Sequence, residues 1–305
     1  MFEVIGKNKF KSGIIVTMVS VFLAVVIYFI AYFSGIGHYA LPLAIGMTII
    51  TSLISYFTCD KIVLSINGAR PADGVRDKQI VSILEGLCIS SGMPMPKLYI
   101  MDEASPNAFA TGRNPKNSVI CVTTGLINNM EYYELEGVLA HELAHIKNYD
   151  ILLATVVTVF IGMIVILSNI WTRSLFWSGT GRGRRSSRSR DNNGKGGAEL
   201  ILFLVGLIFI ILAPIAGKLM QFALSRNREY LADATSVEFT RNPGGLISAL
   251  RKLDSSVQKV ERANDATAAM YIVNPLKNID GKKAKKIFST HPLIPDRIKA
   301  LQNIH

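Results

Sequence analysis

Four stretches of this 305-residue chain run for 18 to 21 residues with Lys218 as their one charged side chain: Ile14–Phe33, Ala40–Phe57, Ile151–Trp171 and Leu200–Met220. An α-helix of about 20 residues crosses the hydrocarbon core of a bilayer, so each is predicted to be a helix of membrane-spanning length. The first is too long for the apolar part of a signal peptide and is read as an uncleaved anchor. Between these blocks the pattern becomes that of a folded polar domain. Lys97–Met101 reads as a short strand, and Asn107–Val122 as a β-hairpin turning at Arg113-Asn114-Pro115-Lys116-Asn117. Asn128, with Glu131 three residues on, has the form of a capping box, which starts a helix near Asn129 that runs to about Asn148. A further helix is predicted over Arg226–Phe239, followed by turn signals at Asn242-Pro243-Gly244-Gly245 and at His291-Pro292.

Half of the residues are apolar and 18% are charged, with a mean hydropathy of +0.33. Soluble domains carry about a quarter charged residues, so disorder is excluded and a membrane protein with a polar domain is favoured over a soluble enzyme. The chain divides into an N-terminal transmembrane hairpin (1–57), a first polar part (58–150), a second hydrophobic hairpin (151–220) and a second polar part (221–305). The net charge is +11. Thr172–Ala198 holds seven basic residues against Asp191 alone and supplies more than half of it. That loop reads first as a solvated linker rich in Gly, Ser and Asn, then as a contact for anionic lipid. No nucleic acid is expected, because no aromatic side chain interleaves with the arginines between Arg182 and Arg190. Lys7, Lys9 and Lys11 precede the first apolar block, Ser34–Tyr39 carries no Lys or Arg, and Lys61, Arg70, Arg76 and Lys78 follow the second. The positive-inside rule then puts both ends of the first hairpin, and the polar domain, in the cytoplasm. The second hairpin conflicts with that rule, since full spanning would put its basic loop outside. Whether it spans or not, residues 150 and 221 lie on the same side. Cys59, Cys88 and Cys121 form no CxxC pair and are read as small apolar residues.

The chemistry is concentrated in His141-Glu142-Leu143-Ala144-His145. Histidines at i and i+4 share one helix face and can bind one Zn²⁺, with the intervening Glu142 placed to act as a base on water. Random placement would give such a motif in roughly 0.3% of chains of this composition. A catalytic zinc needs a third protein ligand and an open position. Residue 151 is Ile, so the extended H-E-x-x-H-x-x-G-x-x-H solution is absent. Glu229-Tyr230-Leu231-Ala232-Asp233 offers an alternative, with Glu229 able to ligate and Asp233 able to accept a hydrogen bond from a ligating imidazole.

With these motifs in hand, the chain resembles the gluzincin-type, HtpX-like membrane metalloproteases, relatives of the CAAX prenyl proteases. Asn107-Ala108-Phe109-Ala110-Thr111-Gly112, Ser225–Asp233 and Thr290-His291-Pro292 match the same pattern. The resemblance implies a mainly α membrane protein: four hydrophobic helices plus a gluzincin-like zinc protease domain with a small β-sheet. It also implies an endopeptidase that binds one Zn²⁺ per chain and degrades damaged membrane proteins or unfolded polypeptides at the bilayer of the bacterial or archaeal plasma membrane. By carry-over, His141, His145 and Glu229 are the zinc ligands and Glu142 is the catalytic base and acid. Asn107, Ala108, Phe109 and Ala110 belong to an edge strand that pairs with substrate. His291 would stabilise the oxyanion or occupy the open metal position, and Arg297 would pair with Asp233. The competing reading is a membrane scaffold or transporter with a structural zinc, which has no use for Glu142. His145 lies six residues before the third apolar segment and Glu229 nine after the fourth. These offsets put the metal near the membrane face.

Overall fold

The computed structural model describes residues 2–155, 226–255, 270–272 and 292–304. The third and fourth apolar segments beyond residue 155, the basic loop 172–198 and His291 lie outside the described residues.

Two long helices, α1 (Phe2–Ala31) and α2 (Ala40–Ile66), pack side by side, with the Ser20 and Ser52 hydroxyls hydrogen-bonded at 3.0 Å between them. Gly35 and Gly37, both at positive φ, turn the chain from one to the other. Thr17, Thr51 and Thr58 return their hydroxyl protons to carbonyls four residues back. This satisfies polar groups inside otherwise apolar helices. The stretch Gly37–Ile54 is long and apolar enough to cross a membrane, and most of it is exposed on the surface of the protein rather than packed as a core helix. The apolar stretch of α1, Gly13–Phe29, is shorter. Of the four anticipated spans, one thus meets the length and hydropathy of a membrane crossing among the described residues.

The polar domain is mainly helical with a four-stranded mixed sheet. Strands β1 (Arg70–Pro71), β2 (Lys97–Met101), β3 (Ala108–Asn114) and β4 (Asn117–Thr123) lie in the order β1-β2-β4-β3. The β-branched and apolar run of β4 suits a central position, parallel to β2 and antiparallel to β3. β2 and the β3–β4 hairpin match the sequence expectations. Helix α3 (Lys78–Ser91) buries Ile80, Ile83, Leu84 and Leu87 against the sheet side of the core and stops at Gly92 in the left-handed conformation.

The helix expected from Asn129 begins later. Thr123 caps a short helix α4 (Thr124–Asn129) by accepting from the Leu126 N–H. The capping box then belongs to Glu131 and Glu134, which start α5 (Tyr132–Lys147). Asn128 and Glu131 carry the right spacing, but residues 124–129 are already wound by their own cap, which shifts the pairing by one turn. Eleven of the sixteen residues of α5 are buried, which makes it the central helix of the domain. It packs on α6 (Arg226–Thr240) and α7 (Pro243–Ser255), and α8 (Ile294–Gln302) closes over α6 and α7. A Cβ on Gly137 would sit 2.7 Å from the Leu246 nitrogen, so α5 and α7 approach at a distance only glycine permits. The buried Glu134 fixes that crossing: it accepts from the Ser248 hydroxyl and from Lys252 at 2.6 Å.

Candidate metal centre

His141 and His145 lie one turn apart on α5, and Glu229 comes from the first turn of α6. The two Nε2 atoms are 3.2 Å apart, and each lies 3.7 Å from a Glu229 carboxylate oxygen. Two atoms on a tetrahedral zinc at about 2.05 Å stand about 3.3 Å from each other, so this donor set is spaced for one zinc. The donor chemistry agrees: two imidazoles and a carboxylate, the composition of a site with one position left open.

Each histidine is held by a carboxylate behind it. His141 Nδ1 lies 3.0 Å from Asp233 Oδ1, and His145 Nδ1 lies 3.2 Å from Asp150 Oδ2. A proton held on Nδ1 in each ring leaves both Nε2 lone pairs aimed at the shared point. Asp233 was anticipated in this role; Asp150 was not. The reason is local. Helix α5 ends at Lys147, and Tyr149 adopts φ 59, a left-handed turn that folds the chain back toward the ring of His145. A residue five positions along a straight helix would not share that face, so helical spacing alone hides it.

Arg297, on α8 and fully buried, donates to both oxygens of Asp233 at 2.9 and 2.6 Å, which realises the pair expected from sequence. Its Nη1 also stands 3.4 Å from Glu229 Oε2. One guanidinium therefore spans the Glu229 carboxylate and the carboxylate behind His141. Arg228 Nε, 3.6 Å from Asp150, does the corresponding service on the His145 side.

These neighbours set the protonation states. Burial and the Arg297 charge push His141 down to about 4, so it stays neutral and able to ligate. Burial opposes the charged form of His145 too, but Asp150, Glu229 and Glu142 outweigh it and push it up to about 9, so a metal binding at its Nε2 would have to displace a proton from that atom. Burial, with Glu229 adding to it, pushes Glu142 up to about 7. Its carboxylate lies beside the backbone N–H of Ala110 on β3, which favours its charged form.

That contact connects the centre to the sheet. In sheet order β3 is the outer strand. Ala108, Phe109 and Ala110 are buried in β3, and Asn107, buried just before it, accepts the Ala108 N–H on its own side-chain oxygen. The structure thus brings together His141, Glu142, His145, Glu229, Asp233, Arg297 and the Ala110 backbone.

Residues 75–305 match the description of peptidase family M48. The Protease HtpX homolog of Dictyoglomus thermophilum is 43% identical, over 99% of this chain and 94% of that protein. The Protease HtpX homolog of Listeria monocytogenes serotype 4a is 42% identical over the whole of both chains. Among solved structures, S. mikatae Ste24p superposes with a TM-score of 0.52 at 20% identity, covering 95% of this chain and 66% of that one, a likeness of fold.

Proposed function

The chain belongs to peptidase family M48 and is a metalloprotease; from that premise we propose that it is a membrane-anchored zinc endopeptidase whose metal is held by His141, His145 and Glu229. The observation that carries this reading is the convergence of those three ligand atoms, all within 4.8 Å of one another, beside the buried carboxylate of Glu142. When bound there, zinc supplies Lewis acidity that polarises the scissile carbonyl and acidifies an adjacent water.

The chain's own residues divide the remaining work. Glu142, with an affinity for protons near neutrality, takes the proton from the attacking water and delivers it to the leaving amine. Asp150 and Asp233 hold the imidazoles in one tautomer, and Arg297 keeps Asp233 charged and pairs with Glu229. Strand β3, the outer strand of the sheet, is the edge we assign to an extended peptide, where main-chain pairing would make affinity depend little on sequence. No serine or cysteine nucleophile is needed; burial pushes the Cys121 thiol up to about 12, which suits an inert core position.

The substrates we assign are unfolded or membrane-tethered polypeptides, with the catalytic domain facing the cytoplasm. Helices α1 and α2 would anchor the domain, and the hydrophobic segment between α5 and α6 would interrupt it. Two contacts support a centre near the bilayer surface. Lys9, just before the apolar part of α1, lies 4.1 Å over the ring of Tyr149, four residues beyond His145. Arg113, at the hairpin turn of β3, lies 4.7 Å over Phe57, just past the apolar part of α2. In the same reading His291 stabilises the oxyanion or occupies the open metal position.

The test compares wild type with Glu142→Gln, purified in detergent, for bound zinc and for cleavage of casein. One zinc in each with cleavage only by wild type is the expected outcome. Zinc in both with equal cleavage would remove Glu142 from the chemistry, and zinc in both with no cleavage by either would favour a structural metal.

A further inference from the structure

The outer edge of β3 already has an occupant at one end. The Thr123 N–H donates to the Asn107 carbonyl, which makes 107 and 123 a hydrogen-bonded pair of the β3–β4 ladder. Backbone groups of alternate residues then point the other way, so Ala108, Ala110 and Gly112 face outward. Each of these has a contact from beyond the sheet. The Ala110 N–H meets Glu142, the Gly112 N–H meets the Thr155 hydroxyl at 3.2 Å, and the Ala108 carbonyl accepts the backbone N–H of Ile272 at 3.0 Å. The first is the catalytic base and the second is a side chain; the third is main chain lying where a guest strand would lie.

That third contact is firmly built. Met270, Tyr271 and Ile272 are all buried, Tyr271 completely. The Tyr271 ring stands edge-on to Phe109 with centroids 5.2 Å apart. Its hydroxyl donates to the side-chain oxygen of buried Asn67, at the end of α2, at 2.9 Å. The segment is thus tied to the edge strand on one side and to the base of α2 on the other.

We propose that residues 270–272 form an end-stop of the substrate edge, so that a bound peptide pairs with β3 from Ala110 to the carbonyl of Gly112, whose N–H is already donated to Thr155, but not at Ala108. This rests on the reading of β3 as the substrate edge and deepens it. A guest strand antiparallel to β3 runs from the Gly112 end toward the Ala108 end, so its C-terminal side meets the stop. From Ala110, where Glu142 marks the reacting bond, to Ala108 is about 7 Å, or two residues of strand. The enzyme therefore reads about two residues beyond the scissile bond on the C-terminal side, and longer substrates leave the edge there.

The test uses zinc-loaded, full-length protein in detergent and fluorogenic peptides lengthened one residue at a time on either side of the cut. In wild type, kcat/KM stops rising after about two residues on the C-terminal side. Ile272→Pro removes the donor from the Ala108 carbonyl, and Tyr271→Phe removes the hydroxyl anchor while keeping the ring. Each is expected to raise the ratio of kcat/KM for long over short C-terminal extensions about three- to tenfold, the worth of one or two further backbone hydrogen bonds. A purely structural role would lower activity on all lengths and leave that ratio unmoved, which overturns the proposal. C-terminal gains that continue past the stop in wild type also overturn it while leaving the edge reading intact. Indifference to length on both sides overturns the edge reading and the end-stop together.

Discussion

Asp150 shows how much a single backbone angle can decide. It lies outside the helix that carries H-E-x-x-H, yet the left-handed turn at Tyr149 brings its carboxylate to 3.2 Å from His145 Nδ1. Its partner across the site, Asp233, is reached by ordinary i+4 spacing from Glu229 and was legible in the sequence. Both stand behind the proposed ligands, and both should matter for metal retention rather than for folding alone. Asp150→Asn is expected to weaken zinc binding about 10- to 100-fold, the usual cost of losing the carboxylate behind a ligating imidazole. Competition titration with a zinc-sensitive dye checks this; wild-type affinity in the variant would show that the contact does not orient the ring.

At the scale of elements, α5 has to be held on several sides at once, because its buried face carries the reactive side chains. Its crossing with α7 combines a steric condition at Gly137 with a polar clamp at Glu134. Burial alone would raise the Glu134 pKa, but Lys252, Ser248 and the Glu131 N–H outweigh it and hold the carboxyl below its ordinary 4.5. A depressed carboxylate contributes stability that is present above about pH 4.5 and is lost as pH falls through the lower folded-state value. Glu134→Gln should therefore destabilise the protein by about 1–2 kcal/mol at neutral pH, with the gap closing in acid. Thermal melts of both proteins from pH 7 down to pH 4 measure it, and a gap that stays constant across the range would refute the clamp. The start of α5 was misread by one turn because two overlapping Asn/Glu and Glu/Glu cap patterns are equivalent in sequence; the Thr123 cap of α4 selects between them.

For the whole molecule, the proposed metal would join α5 to α6, whose sequences are separated by the long hydrophobic segment, and α8 closes the site through Arg297. A ligand that binds only the folded arrangement stabilises it by about 2.7 kcal/mol at one hundred times its dissociation constant. Removing zinc with a chelator should lower the melting temperature in detergent, and adding zinc back should restore it. Glu229→Gln should shrink that difference. A melting temperature indifferent to chelation would mean that the three ligands do not bridge the two halves.

The sequence by itself determined the chemistry and the local elements. The donor types, their i+4 spacing, the β3–β4 hairpin and the apolar stretch of α2 all follow from short-range patterns, since one turn of helix or one strand period fixes which side chains share a face. Only the tertiary structure decided which distant groups meet. That Arg297 locks Asp233 and Glu229, that Asp150 stands behind His145, and that residues 270–272 lie on the edge of β3 depend on contacts across 64 to 164 positions of chain or on one left-handed turn. Such contacts leave no period in the sequence, because they are selected by the packing of the completed core rather than by the conformation of their own neighbours.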